Sequence, residues 1–574
     1  MVVSKTAIIE SVNPSSKEVL GRAPIMTLSQ VLEAVERSQK AFELWQLTSY
    51  KQRAKHLLNL RRVIAEHADQ IATLISQEVG KPLAEAYLSE LTGPLDTAVW
   101  LAENCEKLMA DQTVALSNPL LNSKQSLIAF EPLGVIGIIA PWNYPFSIPM
   151  MTAMMALMLG NTVVIKPSEK SPLVGIKIGE LIKEAGLPQS AVEIVTGDAE
   201  TGAHLSRADL AKVIFTGSVG GGAKVMAQAA EKITPVTLEL GGKDAAVVLP
   251  DAPLDWTARG LTWGAFTNAG QACASVERVY IIKGKNTDKL IETIGGLASK
   301  LQLGAGTDEN ADLGPLIDEG QLAKVKEHVQ DALSKGARLI TGGKSREDLG
   351  GFFFEPTVLA DCNHSMLIMT EETFGPVLPI MLVDNEDQAV ELANDSKYGL
   401  CATVWGGRLD RAECVARDLN VGTVLINDVL FSHATPQLPW GGVKKSGFGK
   451  GHSIFGLYDL CNIKHISIDS SGGSHRVWWY PYGKAKVTMA RGGIQMLHGK
   501  ITKRPEGLLN FVGNMFVDEN NGTSNHSAAT GATARGAAES KQQESSQATS
   551  IAPSGAGSNL AADQDSQTDS KDTP

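Results

Sequence analysis

Apolar residues recur at three- and four-residue steps through Ala54, Leu57, Leu60, Ile64, Ala68 and Ile71. That spacing lines one face of an amphipathic helix, and residues 1–130 read as helical on this rhythm. From residue 161 the rhythm changes. Short β-branched runs at 162–165, 191–195, 212–216, 235–240 and 245–249 alternate with helical stretches such as 172–185 and 221–231. Strands alternating with helices at this spacing predict βαβ units and a parallel sheet. A second α/β region follows over 242–427, with further apolar runs at 278–282 and 422–426. No internal repeat is visible.

Three stretches break the pattern. Residues 132–165 form the longest uncharged run, 34 residues, long enough to span a bilayer. Pro141, Asn143, Pro145, Pro149, Gly160 and Asn161 interrupt it. Because proline removes a helical hydrogen bond, a buried strand, loop and helix is the expectation. Residues 475–516 open with Trp478-Trp479-Tyr480-Pro481-Tyr482 and then carry Lys484, Lys486, Arg491, Lys500, Lys503 and Arg504 against Glu506. Aromatic residues beside cations suit a peripheral membrane contact; the alternative is an extension packed on the body with its cations solvated. Residues 517–574 contain no Phe, Trp or Tyr and are dominated by Ser, Ala, Gly, Gln, Asn and Asp. Such a composition cannot offset its ordering entropy, so a disordered tail is expected.

Composition narrows the classes. The 574 residues exceed one ordinary domain, and 43% apolar content supports a large core. The net charge of −11 lacks the basic footprint of a nucleic-acid binder. Eight acids against three bases put −5 of that charge on the 517–574 tail, so the acidity says little about partners of the rest. Six cysteines without a CxxC pair exclude a disulfide scaffold and argue against a zinc ribbon. The first ten residues hold one lysine and no sustained apolar run, so no secretory signal is expected and the location is read as cytoplasmic.

Chemistry concentrates at three points. Cys273 lies in Phe266-Thr-Asn-Ala-Gly-Gln-Ala-Cys, Glu239 in Leu238-Glu-Leu-Gly-Gly-Lys and Asn143 in Pro141-Trp-Asn-Tyr-Pro. Taken singly, they read as a packed cysteine, a capping acid and a turn residue. Together, in this order and at these separations, they resemble the catalytic signatures of the aldehyde dehydrogenase superfamily. The resemblance covers roughly residues 8–465 and extends to Glu78-Val-Gly-Lys-Pro, Phe215-Thr-Gly-Ser, Glu371-Glu-Thr-Phe-Gly-Pro and Pro439-Trp-Gly-Gly-Val-Lys-Lys-Ser-Gly.

The resemblance implies an aldehyde dehydrogenase-like α/β fold. It combines a Rossmann-type parallel-sheet cofactor domain (1–113 and 133–241), an α/β catalytic domain (242–441) and a β oligomerisation arm with the C-terminal loop (114–132 and 442–470). The extension (471–516) and tail (517–574) follow. It implies a homodimer or homotetramer joined through the arm. It implies oxidation of a small-molecule aldehyde to the acid with NAD. Cys273 serves as nucleophile, its thiolate favoured by a lowered pKa. Asn143 and the Cys273 N–H hold the oxyanion, and Glu239 activates the hydrolytic water. Glu239 argues against a coenzyme A-acylating enzyme; the complete set argues against a non-catalytic scaffold with the same fold.

For the cofactor, the resemblance points to Trp142, Lys166, Ser168, Glu169, Gly217, Ser218, Gly222, Glu372 and Phe374. A carboxylate at Glu169 suits ribose hydroxyls and repels a 2′-phosphate, so NAD is favoured over NADP. No metal is expected, since His433 and His452 lack ligand-spaced partners. One departure stands out: many relatives carry Gly-Arg-Glu where this chain has Gly449-Lys450-Gly451. The sequence does not single out the aldehyde, although the basic aromatic extension hints at a hydrophobic one.

Overall fold

The strands Val135–Ile139 and Thr162–Lys166 are buried at every position. Strands covered on both faces read as unbroken apolar runs, which is how they stood out in the sequence. The computed structural model describes residues 7–118, 121–472, 476 and 478–515. It divides the chain into two units, Met1–Ser470 and Ser471–Pro574.

In the first unit these strands lie in a six-stranded sheet. Its order is Gly447–Phe448, Val236–Leu240, Lys212–Gly217, Val135–Ile139, Thr162–Lys166, Val192–Ile194. All neighbours are parallel except Gly447–Phe448, which runs antiparallel to Val236–Leu240. Strand order reverses between Val135–Ile139 and Lys212–Gly217. In open α/β sheets the crevice beyond the carboxyl ends of such strands is where ligands bind. The loops leaving these two ends carry Asn143 and Ser218.

The long uncharged stretch resolves into Val135–Ile139, the helix Ser147–Met158 and Thr162–Lys166. Eleven of the helix's twelve residues are buried. A helix apolar on all sides is a core helix, and no helix among the described residues is long and apolar enough to cross a membrane.

A seven-stranded sheet forms the second core. Its order is Arg338–Thr341, Thr357–Ala360, Val377–Val383, Val276–Ile282, Asp244–Val248, Cys401–Trp405, Thr423–Ile426. Only Arg338–Thr341 is antiparallel to its neighbour.

Residues 1–130 are less uniformly helical than their periodicity predicts. The face through Ala54 to Ile71 splits at His67 into helices Tyr50–Glu66 and Ala68–Val79. A capping box between Ser49 and Gln52 starts the first of them. Four strands also occur here: Ile8–Val12, Val19–Pro24, Gln112–Val114 and Lys124–Pro132. The first two pair with each other as a hairpin. Lys124–Pro132 is recognisable only with its partner Cys461–Asp469, nine residues paired in register from Cys461 opposite Pro132 to Asp469 opposite Lys124. Cys461–Asp469 is exposed at eight of nine positions and forms the outer edge of its three-stranded sheet.

In the second unit the described residues form two helices, Lys484–His498 and Arg504–Asn514, with a short turn at Ile501–Lys503 between them. Met489 and Phe511 are buried, whereas Trp479, Tyr480, Tyr482, Ile494 and Leu509 are exposed. The acidic tail from residue 517 lies outside the described residues.

Candidate active site

The loop before Cys273 has a strained backbone. Asn268 and Ala269 both take left-handed conformations, φ 50° and 54°. Such residues persist only where their surroundings over-determine them. The carboxylate of Glu85 accepts hydrogen bonds from Asn268 N (2.7 Å) and Thr267 Oγ1 (3.0 Å). Gln271 Nε2 donates to the Asn268 carbonyl at 3.0 Å, and Gln271 Oε1 accepts from Ile317 N at 2.9 Å.

The same network holds Asn143. Its Nδ2 donates to the Gln271 carbonyl at 3.0 Å, and Asn268 Nδ2 donates back to the Asn143 carbonyl at 3.2 Å. The loops bearing Asn143 and Cys273 are therefore tied together. Behind them, the buried pair Lys81–Glu90 braces the helix that follows Asn143. Glu90 accepts from Phe146 N (3.2 Å) and Ser147 N (2.8 Å). The sequence reading missed Glu85, Glu90, Asn268 and Gln271. Lys81 falls in the Glu78-Val-Gly-Lys-Pro motif and Asn268 and Gln271 in the cysteine motif, so these three partners were signalled without a role.

Glu239 sits on Val236–Leu240 opposite Gly447. Burial pushes its carboxyl up to about 7, opposed by the charge of Lys450 and reinforced by Asp459. The departure at Gly451 now has a physical content. A Cβ there would lie 2.5 Å from Glu239 Oε1, so a larger residue at 451 requires the Glu239 carboxylate to move from its present position. Lys450 stands beside it, its Nζ donating to the Gly441 carbonyl at 2.7 Å. The thiol of Cys273 departs from the sequence expectation. Burial and the carboxylates of Asp244, Glu239 and Glu372 raise its pKa, so the resting group is a thiol that needs a base.

Cys273, Glu239 and Asn143 line one cavity of about 490 Å³. Trp142, Lys166, Ser168, Glu169, Gly217, Ser218, Glu372 and Phe374 line it too. Lys166 Nζ lies 3.3 Å from Glu169 Oε2. Ser218 Oγ accepts from Gly221 N at 3.1 Å and caps the helix Val219–Ala230. The first-turn N–H groups of such a helix suit a pyrophosphate. Glu372 Oε1 accepts from Gly242 N at 3.0 Å, and burial with neighbouring Glu277 raises its pKa to about 7. The Phe374 ring meets Trp142 edge-on at 5.6 Å. Gly222 does not line the cavity. A Cβ there would fall 2.6 Å from Leu240 Cδ2, so this glycine lets the helix approach the sheet.

A second cavity, about 260 Å³, also reaches Cys273. His433 and Trp440 line it. Burial drives the pKa of His433 down to about 4 and that of neighbouring His452 to about 3.

A dinucleotide-sized crevice on a Rossmann-type sheet, with a thiol, a carboxylate and an amide at its base, defines a thiol-dependent dehydrogenase. The chain belongs to the aldehyde dehydrogenase family, whose model matches residues 2–466. It is 35% identical over 492 residues to a 4,4'-diapolycopene aldehyde oxidase from Methylomonas sp, covering 86% of this chain and 92% of that protein. It is 36% identical to the NADP(+) succinate-semialdehyde dehydrogenase of Escherichia coli, covering 80% and 94%. Among solved structures, an aldehyde dehydrogenase from Bacillus cereus in complex with NAD+ superposes with a TM-score of 0.77 at 32% identity, covering 81% and 94%. The protein is therefore an oxidoreductase that converts an aldehyde to its carboxylic acid.

Proposed function

We propose that Cys273, Asn143 and Glu239 carry out this oxidation with NAD, and that water completes it to release the free acid. The observation behind this reading is that all three side chains face one cavity together with eight of the nine cofactor candidates. The group fits that cavity. Its volume suits a bound cofactor, and the capped helix N-terminus suits its phosphates.

Cys273 Sγ attacks the carbonyl carbon, and its proton passes to Glu239, whose raised pKa keeps it a usable base near neutrality. The carbon–oxygen π electrons move to oxygen. That oxyanion is met by the Cys273 N–H and by the Nδ2 hydrogen of Asn143 not engaged by Gln271. A bound nicotinamide supplies the hydride acceptor. The acyl group is then a thioester on Cys273. Glu239 first releases the thiol's proton to solvent; as a carboxylate it then takes a proton from water, the resulting hydroxide attacks the thioester, and the Cys273 sulfur leaves and regains a proton from Glu239. Purified protein, NAD and a panel of aldehydes test the reading. Reduced cofactor accumulating with one equivalent of acid supports it; a thioester captured only by coenzyme A sinks the hydrolytic step.

NAD is favoured by Glu169, a half-exposed carboxylate in the cavity wall. It suits paired ribose hydroxyls, and a 2′-phosphate beside it meets a like charge. Wild type is expected to prefer NAD over NADP in kcat/KM. Glu169→Gln should raise the NADP to NAD ratio about tenfold, the equivalent of ~1.4 kcal/mol. An unchanged ratio refutes the assignment.

The edge strand Cys461–Asp469 supports a homo-oligomer. Its sheet order gives it one strand neighbour among the described residues, Lys124–Pro132, and Ile463, Ile466 and Ile468 are exposed on it. An edge this long invites pairing with a second copy. Ser470 N donates to the Ser123 carbonyl, so by the alternation of the ladder the His465 N–H faces outward; His465→Pro removes a donor from that edge, and light scattering should show a shift towards monomer. An assembly state identical to wild type counts against the arm as the contact.

A further inference from the structure

The smaller cavity at Cys273 carries information about the aldehyde itself, on the reading that Cys273 is the nucleophile. No Asp, Glu, Lys or Arg lines it. Its wall is built largely from Ile148, Leu430, Trp440 and Trp263. Three lining side chains reach the surface: Leu88, Trp263 and Phe431 are 69%, 53% and 47% exposed. The passage is thus uncharged and mainly apolar, with Ser89, Tyr144, Thr267 and His433 as its polar members.

Nearby cations are engaged elsewhere. Lys81 Nζ lies 3.6 Å from the centroid of the Tyr144 ring, but it is fully buried and paired with Glu90. Arg278 follows Cys273 in sequence, yet its guanidinium donates to the Lys243 carbonyl, Tyr280 Oη and the Leu392 and Ala393 carbonyls. His433, the one imidazole in the wall, is held neutral by burial. An anionic substrate entering here loses hydration and gains no ion pair. A quaternary ammonium finds aromatic rings, but one face of Tyr144 already holds the Lys81 cation and no carboxylate faces the passage. An uncharged hydrocarbon chain loses nothing polar and covers Leu88, Trp263 and Phe431.

We propose that the physiological substrate is an aldehyde with an extended, uncharged apolar chain, and that the passage lined by Leu88, Trp263 and Phe431 selects it over aldehydes bearing a charged group.

The test measures kcat/KM of the full-length chain with butanal, hexanal and octanal. Succinate semialdehyde and 4-trimethylammoniobutanal serve as the anionic and cationic arms. Burial of each added methylene should raise kcat/KM about threefold, leaving octanal ahead of both charged aldehydes by at least about 50-fold. Trp263→Ala should flatten the chain-length slope. Phe431→Arg should cut the ratio of octanal to succinate semialdehyde at least about tenfold by supplying the missing cation. Both residues are half-exposed, so neither change threatens the core. A flat slope, or either charged aldehyde matching octanal, overturns the substrate class while leaving the dehydrogenase reading intact. If no aldehyde yields reduced cofactor although the chain binds NAD, the dehydrogenase reading falls and the substrate class with it.

Discussion

Cys273→Ala is expected to abolish aldehyde oxidation, lowering kcat by roughly 10⁴-fold or more, because no covalent adduct forms without the sulfur. Dinucleotide binding should persist, since the residues around Lys166, Glu169 and Ser218 are untouched. No second thiol substitutes. Cys105, Cys362, Cys401 and Cys461 are buried, and Cys414 is exposed on the helix Leu409–Asp418. Cys401 packs in the small core cluster against Cys273, but it lies within a fully buried strand and lines neither cavity at the site. Steady-state NADH production together with cofactor-binding fluorescence checks this. Residual turnover above about 1% of wild type would move the nucleophile elsewhere.

Glu239→Gln should separate the two halves of the reaction. Hydrolysis of the thioester loses its base, and the steady-state rate drops about 10²- to 10³-fold. The first turnover also slows, since Glu239 takes the thiol's proton, but by less than hydrolysis, so rapid mixing should show a slower burst of reduced cofactor that still outruns the steady state. The pH dependence gives an independent reading. Burial raises this carboxyl to about 7. Below that pH it is protonated and cannot accept a proton; above it, the base form dominates. Wild-type steady-state activity should therefore rise through about pH 7 and level off, whereas the glutamine variant lacks that limb. A steady-state rate equal to wild type, or a variant that keeps the limb, excludes Glu239 as the hydrolytic base.

What the sequence displayed and what it concealed follow from where each signal comes from. The central strands Val135–Ile139 and Thr162–Lys166 are buried at every position, so their β-branched runs are visible without knowing their neighbours. Lys124–Pro132 alternates weakly and becomes a strand only against Cys461–Asp469, over three hundred residues away. Cys273, Glu239 and Asn143 were legible through resemblance, because each stands in a short distinctive motif. Glu85 was not, being an isolated acid whose work is to accept from Asn268 and Thr267 across the fold. The raised pKa of the Cys273 thiol was likewise hidden, since Asp244, Glu239 and Glu372 converge on it from separate parts of the chain. The run Gly449-Lys450-Gly451 was visible as a departure, but only the 2.5 Å approach to Glu239 gives it meaning.

The antiparallel strand Gly447–Phe448 bears on how the protein is made. It finishes a sheet whose preceding neighbour ends at Leu240, so about 200 residues separate the two in synthesis. At ribosomal speeds the wait is roughly 10–40 s. The segment that closes the sheet also brings Asp459, 2.7 Å from Lys212, and the Leu460 carbonyl that accepts from Asn161. Until it emerges, a nascent chain already holding Asn143, Glu239 and Cys273 shows an open sheet edge beside the future general base. That interval is when the chain most needs protection from premature pairing.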